Sequence, residues 1–280
     1  MELEGEIFGR KENISYKIIA IIVFFSVSLF CSFCGLAQEN TINYASMNNI
    51  GSQSVIGPMG IGVGTSQIIP ERLESATLIL TQPQNLIPYT ERYFDQSTVA
   101  AIAWWMNPNF YANTSEYRRY LRATNEDKGK LYSPETKIFF DFITKNLDEA
   151  INESMLNETL ILYRGISGNF ADSIIENAEY IDSAFASTAY DITVCLDIFG
   201  GRSLDGYQNV LVLQRTGGKD ALYINEDERE FLLPRETQWS VIKAINIENL
   251  TVESDFPLYQ SHNNKAQFNK VRLIYTREKS

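Results

Sequence analysis

The chain has 280 residues, a formal net charge of −11, and 44% hydrophobic and 12% aromatic content. That is enough apolar material for one large core or two small ones. The acidic balance disfavours nonspecific attraction to nucleic acid, and no basic stripe of the kind that tracks phosphates runs along the sequence.

Residues 1–37 have the layout of an export signal. Lys17 precedes an apolar run from Ile18 to Cys34, and Gly35-Leu36-Ala37 places small residues before a cleavage point. The leading stretch is long and carries Glu2, Glu4, Glu6 and Glu12 against Arg10, Lys11 and Lys17. An uncleaved membrane anchor is the alternative, although the run is short for a spanning helix. Cleavage after Ala37 is the expectation. It gives a secreted chain that meets a membrane only through its signal segment. Cys31 and Cys34 leave with that segment, so Cys195 stands alone and no internal disulfide is expected. Residues 38–94 read as an N-terminal extension, partly loop. Their glycines at 57–66 lack the strand-turn-helix setting of a phosphate loop.

A catalytic domain is expected over 95–280. Ser97-Thr98 can cap VAAIAWWM, and Ser115 can cap EYRRYLRAT. Ser133-Pro134 opens the clearest helix, in which Ile138, Phe139, Phe142, Ile143, Leu147 and Ile151 keep a helical period. After residue 158 the texture becomes short β-branched and aromatic runs: LILYRG, AFAST, VLVLQR, FLLP, WSVIKAINI and VRLIYT. Two short helical patterns interrupt them, near 169–178 and 191–199. Helices first and strands afterwards predict an α+β fold, not a doubly wound parallel sheet.

The residue inventory narrows the chemistry. The single histidine, His262, lies in the polar stretch QSHNNK and reads as a surface loop residue. Nucleophilic triads and His or Cys metal sites therefore lack their parts, and no metal is expected. Cys195, inside DITVCLDIF, reads as a small core residue. Carboxylate, arginine and hydroxyl chemistry remain.

Three segments offer it. Arg164 sits where a strand meets a turn, and a guanidinium there can grip phosphate oxygens in a bidentate way. Gly165 beside it lets a ligand approach the backbone. An ordinary strand-end ion pair is the alternative. Ser187 and Thr188 are small hydroxyls in an apolar strand; they can bond a ligand, hold a carboxylate, or be satisfied by backbone. Glu228 and Glu230 point to one face if their segment is a strand. One can then stabilise a developing cation while the other takes a proton. Read alone, the same segment is an acidic turn running into a buried strand.

LYRG at 162–165, FASTA at 185–189 and EREFLLP at 228–234 follow one another in this order. The series resembles the arginine–serine–glutamate class of mono-ADP-ribosyltransferases, the Glu-x-Glu type of secreted bacterial toxins, over roughly residues 95–276. Ala189 departs from the Ser-Thr-Ser that family members often carry. The resemblance implies two packed β-sheets around an NAD cleft, with helices mainly N-terminal. It implies NAD as substrate and, as partner, a target protein with an exposed arginine. By that resemblance Arg164 binds the NAD phosphates beside Gly165 and Thr188, and Ser187 orients Glu230. Glu230 stabilises the ribose cation, and Glu228 handles the incoming arginine. Phe199 and Arg202, from FGGR, touch NAD. The stretch 217–227 is where the family places its target-recognition loop. An NAD glycohydrolase, and a secreted binding module that lost catalysis, are the alternatives.

Overall fold

The structure is a computed structural model that describes residues 68–80, 82–107, 111–199, 201–254 and 264–279. The export segment, the glycines of 57–66 and His262 lie outside the described residues.

Among the described residues, four α-helices precede the strand LILYRGI. They are α1 (Gln96–Met106), α2 (Tyr111–Arg122), α3 (Asn125–Leu131) and α4 (Pro134–Asn152). α4 begins as its sequence requires: the Ser133 hydroxyl accepts from the Thr136 N–H at 3.2 Å, with Pro134 just inside the first turn. The other two starts differ from expectation. Asp95, not Ser97 or Thr98, caps α1, its carboxylate accepting from the Thr98 N–H at 2.7 Å. A charged acceptor serves the exposed amides and the helix dipole better than a hydroxyl. Ser115 lies inside α2, which begins at Tyr111. Two further helical pieces are inserted among the strands: α5 (Gly168–Asn177), and α6 (Ile192–Val194) running into a π-turn over Cys195–Phe199. The helices are thus mainly, but not strictly, N-terminal.

Nine strands are found among the described residues: β1 (Glu71–Ile79), β2 (Leu160–Ile166), β3 (Glu179–Ile181), β4 (Ala186–Ala189), β5 (Gln208–Arg215), β6 (Leu222–Asn225), β7 (Glu230–Leu233), β8 (Gln238–Glu253) and β9 (Lys265–Glu278). Their order is β1-β8-β9-β5-β2-β4-β7-β6, with β3 on the start of β8. One β-strand, β1, falls in the stretch read as extension; it pairs in parallel with β8. β2 and β4 pair in the ladder at one position, Tyr163 opposite Ala189. Beyond that hinge the network divides into two halves that pack against each other. Leu162, Leu211, Leu213 and Ile274 from one half meet Ala186, Phe231 and Leu233 from the other. All nine strands belong to one hydrogen-bonded sheet, so where the resemblance implies two packed sheets the structure has two halves of a single sheet joined at the β2–β4 pair.

The second half carries its helices on the opposite face. Leu232 of β7, Leu222 and Ile224 of β6, and Phe185 bury against α1, α2 and α4 through Ile102, Trp105, Tyr117 and Leu147. Each such fully buried side chain contributes roughly 1.5–3 kcal/mol. Side chains alternate along β7, so Glu230 shares the face of Leu232 and looks toward the helices. The third cluster packs α6 and Cys195 beneath Tyr163, Val210, Val212 and Leu273.

Candidate active site

A cavity of about 320 Å³ opens where β2 and β4 splay apart. Arg164 and Gly165 line it from β2, Ser187 and Thr188 from β4, and Glu230 from the start of β7. Trp105 and Arg118 close it from the helical side, and Glu228 stands in the same wall. Three segments far apart in sequence converge because the single-pair junction leaves room for side chains where a full ladder would have brought backbones together.

Glu230 is 6% exposed. The Ser187 hydroxyl donates to its Oε1 at 2.5 Å, and the Trp105 indole N–H approaches the same oxygen at 3.4 Å. Burial pushes the carboxyl up to about 7, against the Ser187 hydrogen bond, which pulls it down; Glu228 nearby adds to the rise. A carboxyl so held changes charge near neutrality and can place a negative charge at a fixed point in a dry cavity. The Ser187 hydroxyl thus holds one oxygen of the Glu230 carboxyl. The Thr188 hydroxyl is spent on the backbone, donating to the Phe231 carbonyl at 2.9 Å, although the residue lines the cavity.

Glu228 reaches the cavity by another route than the sequence predicts. It is not on the strand with Glu230 but in the tight turn after β6, so a shared strand face does not bring the two carboxylates together. Asn225 organises that turn, its side-chain oxygen accepting from the Asp227 N–H at 3.0 Å and the Glu228 N–H at 3.4 Å. Arg229 between the two glutamates adopts φ 53°. Burial, then Asp227, raises the Glu228 carboxyl. The stretch 217–227 is likewise not one loop. β6 runs through it with Leu222, Tyr223 and Ile224 buried, and of this stretch Asn225, at the end of β6, is the residue that lines the cavity.

Arg164 is already engaged. Its NH2 group pairs with Asp182 at 2.8 Å and its NH1 group donates to the Ser187 carbonyl at 3.1 Å. Part of the fork expected to grip phosphate thus holds protein. A second cation, not anticipated from the sequence, faces the cavity: Arg118 of α2. Its guanidinium lies 4.8 Å from the centre of the Trp105 ring, and its buried Nε–H finds no acceptor among the described residues. Burial lowers its proton affinity, and Glu230 partly offsets that. Arg118 sits in EYRRYLRAT, and nothing local distinguishes it from Arg119 or Arg122; only the packing of α2 turns it inward.

Phe199 ends the π-turn, and Arg202 is exposed, donating to the Gly206 carbonyl at 2.9 Å. Arg202 does not line the cavity described here. Gly201 of the same motif serves close packing: a Cβ there would come within 2.9 Å of the Ser167 Cα. Cys195 is a buried core residue beside the cavity, its thiol pushed up to about 12 by burial. Among the described residues no group of His, Cys, Asp and Glu side chains is arranged to hold a metal ion.

No family model matches the chain. Over 130 residues it is 29% identical to an NAD(+)--arginine ADP-ribosyltransferase, EFV, of Enterococcus faecalis. The match covers 45% of this chain and 26% of the relative, so the chain spans about a quarter of that protein. It is similar to the mono-ADP-ribosyltransferases. Solved bacterial structures, among them the ADP-ribosyltransferase toxin Plx2a, also align with the chain. The enzymatic component C2-I of the Clostridium botulinum C2 toxin gives a TM-score of 0.45 at 13% identity, covering 66% of this chain and 44% of that one. Plx2a of Paenibacillus larvae gives 0.43 at 15%, covering 69% and 90%. C3stau2 of S. aureus, solved with NAD, gives 0.42 at 17%, covering 67% and 88%.

Proposed function

We propose that the chain is an NAD-dependent mono-ADP-ribosyltransferase that moves ADP-ribose to an arginine side chain of a target protein. The observation that carries this reading is Glu230, buried on the cavity floor and clamped by Ser187, with Glu228 at the same cavity on a separate turn. The bond from nicotinamide to the ribose C1′ breaks, and nicotinamide leaves with the electron pair. The ionised Glu230 stabilises the positive charge that develops on the ribose. A guanidino nitrogen of the acceptor then forms the new bond to C1′ and gives up a proton. A guanidinium is protonated at neutral pH, so its attack needs a carboxylate to hold it and take that proton. Glu228 is the group for this step, since it shares the cavity yet is independent of the Ser187 clamp. Arg118 and Arg164 supply the positive wall for the diphosphate.

The same Glu230 would serve an NAD glycohydrolase. Glu228 favours transfer, because water requires less activation than a guanidinium. Nicotinamide release and agmatine labelling, measured side by side, decide between them. Glu228→Gln is expected to abolish labelling while leaving much of the hydrolysis. Full labelling by that variant overturns the arginine reading. Export rests on the apolar run of Ile18 to Cys34 before Gly35-Leu36-Ala37. N-terminal sequencing of secreted material is expected to begin at Gln38, and recovery of the intact chain in membranes would favour the anchor.

A further inference from the structure

Asp182 lies outside every motif, in the turn after β3, and is 5% exposed. It nonetheless gathers more donors than any carboxylate of the site. Arg122 of α2 forks onto it, Nε to Oδ1 at 3.0 Å and NH2 to both oxygens at 2.9 Å. Arg164 of β2 donates to Oδ2 at 2.8 Å, and the Ala184 N–H donates to Oδ1 at 3.0 Å. The Tyr180 hydroxyl completes the set at 3.4 Å.

Two lines of force leave this carboxylate for the cavity. Through Arg164 it reaches the Ser187 carbonyl, and through Ser187 it reaches Glu230. That carbonyl belongs to β4 where β4 has already parted from β2, so the Arg164 guanidinium takes the place of a missing strand partner. Through Arg122 it holds α2, and Arg118 lies one turn earlier on the same helix face. We propose that Asp182 is a positioning residue for the reaction: one buried carboxylate that sets both the Ser187–Glu230 pair and the cationic wall formed by Arg118. This rests on the NAD-cleaving reading of the cavity. A buried carboxylate that accepts charge-assisted hydrogen bonds from two guanidinium groups is a firm anchor, since each such bond is stronger than a neutral one.

The test uses the full chain and two variants. Nicotinamide release is followed as kcat and KM across pH 5–9, with NAD affinity by calorimetry and a thermal melt. The charged groups facing Glu230 are Glu228 from the turn, Arg118 from α2 and Arg164 from β2, and all three stay in both variants. Asp182→Asn keeps the shape and removes the charge; kcat/KM is expected to fall by about 10²-fold, the scale of a small misplacement of reacting groups. Its acid limb is expected to move to higher pH, because a loosened Ser187 no longer holds the Glu230 charge. Arg122→Ala cuts only the tether to α2, and is expected to raise KM for NAD while the acid limb stays in place. Asp182→Asn with unchanged kcat/KM and limb overturns the proposal, as does a loss confined to melting temperature. If Asp182→Asn does not fold, Arg122→Ala decides alone, and an unchanged KM overturns the assignment. A parent chain that neither binds nor cleaves NAD overturns the reading of the cavity itself, a different outcome from an active parent with indifferent variants.

Discussion

Replacing Glu230 by Gln removes its charge while keeping its shape. The amide oxygen still accepts from Ser187 and Trp105, so the local packing survives. In the parent, burial lifts this carboxyl from 4.5 to about 7. The unfolded chain loses the proton near the lower value and the folded chain near the higher one. Between them the folded state binds more protons, so stability falls as pH rises. The contribution is fully present below about 4.5 and is lost as pH passes about 7. Ionising a carboxyl so held costs the fold on the order of 3 kcal/mol. For a chain of this size each kcal/mol moves the melting point by roughly 2–4 °C, so Glu230→Gln is expected to melt about 6 °C or more above the parent at pH 8. At pH 5 the two should nearly coincide. Asp191 and Asp197 are also raised by burial, but both proteins carry them and their effect cancels in the difference, whereas the repulsion from Glu228 is part of the Glu230 shift itself. Calorimetric scans at pH 5, 6, 7 and 8 make the comparison. A gap that stays constant over that range refutes the argument that burial holds Glu230 neutral. The same variant should release nicotinamide on the order of 10²–10³-fold more slowly, as removal of one electrostatic stabiliser does. A more stable and less active protein is the combined signature.

Two further outcomes follow from the cavity. Arg118→Ala should weaken NAD binding by about 1.5–3 kcal/mol, the scale of a hydrogen bond to a charged group, because its buried Nε finds no acceptor among the described residues; calorimetry with NAD reads this, and unchanged affinity would remove Arg118 from the site. Ser187→Ala takes away the one hydrogen bond that most favours the Glu230 carboxylate, so the acid limb of nicotinamide release should move to higher pH; an unmoved limb would mean that Ser187 does not govern Glu230.

Much of the site was legible in the sequence because its members are each fixed by local pattern. Ser187 and Glu230 sit in short apolar strands, and two strands of that texture pair readily. Register then brings the serine beside the glutamate, with Ala189 opposite Glu230 and Ser187 opposite Leu232. The helix from Pro134 and the order of helices before strands were readable for the same reason, since caps and periodicity are properties of neighbouring residues. Tertiary structure alone decided what depends on distant partners. Glu228 enters the cavity from an Asn225-built turn with Arg229 at positive φ, whereas spacing by two predicted a strand face. β1 is a strand because β8 offers it an edge; its own sequence, ERLESATLI, leaves most of its side chains outside the core. Arg164 looks free in the motif, yet Asp182 and the Ser187 carbonyl occupy two of its groups. Arg118, Arg119 and Arg122 are equivalent in composition. The 3.6-residue turn of α2 sends Arg118 into the cavity, Arg119 to a surface pair with Glu116, and Arg122 to Asp182. Local pattern carries the information for local structure, but the partner of a buried charge is chosen by whichever carboxylate the fold brings within reach, and no spacing along the chain encodes that.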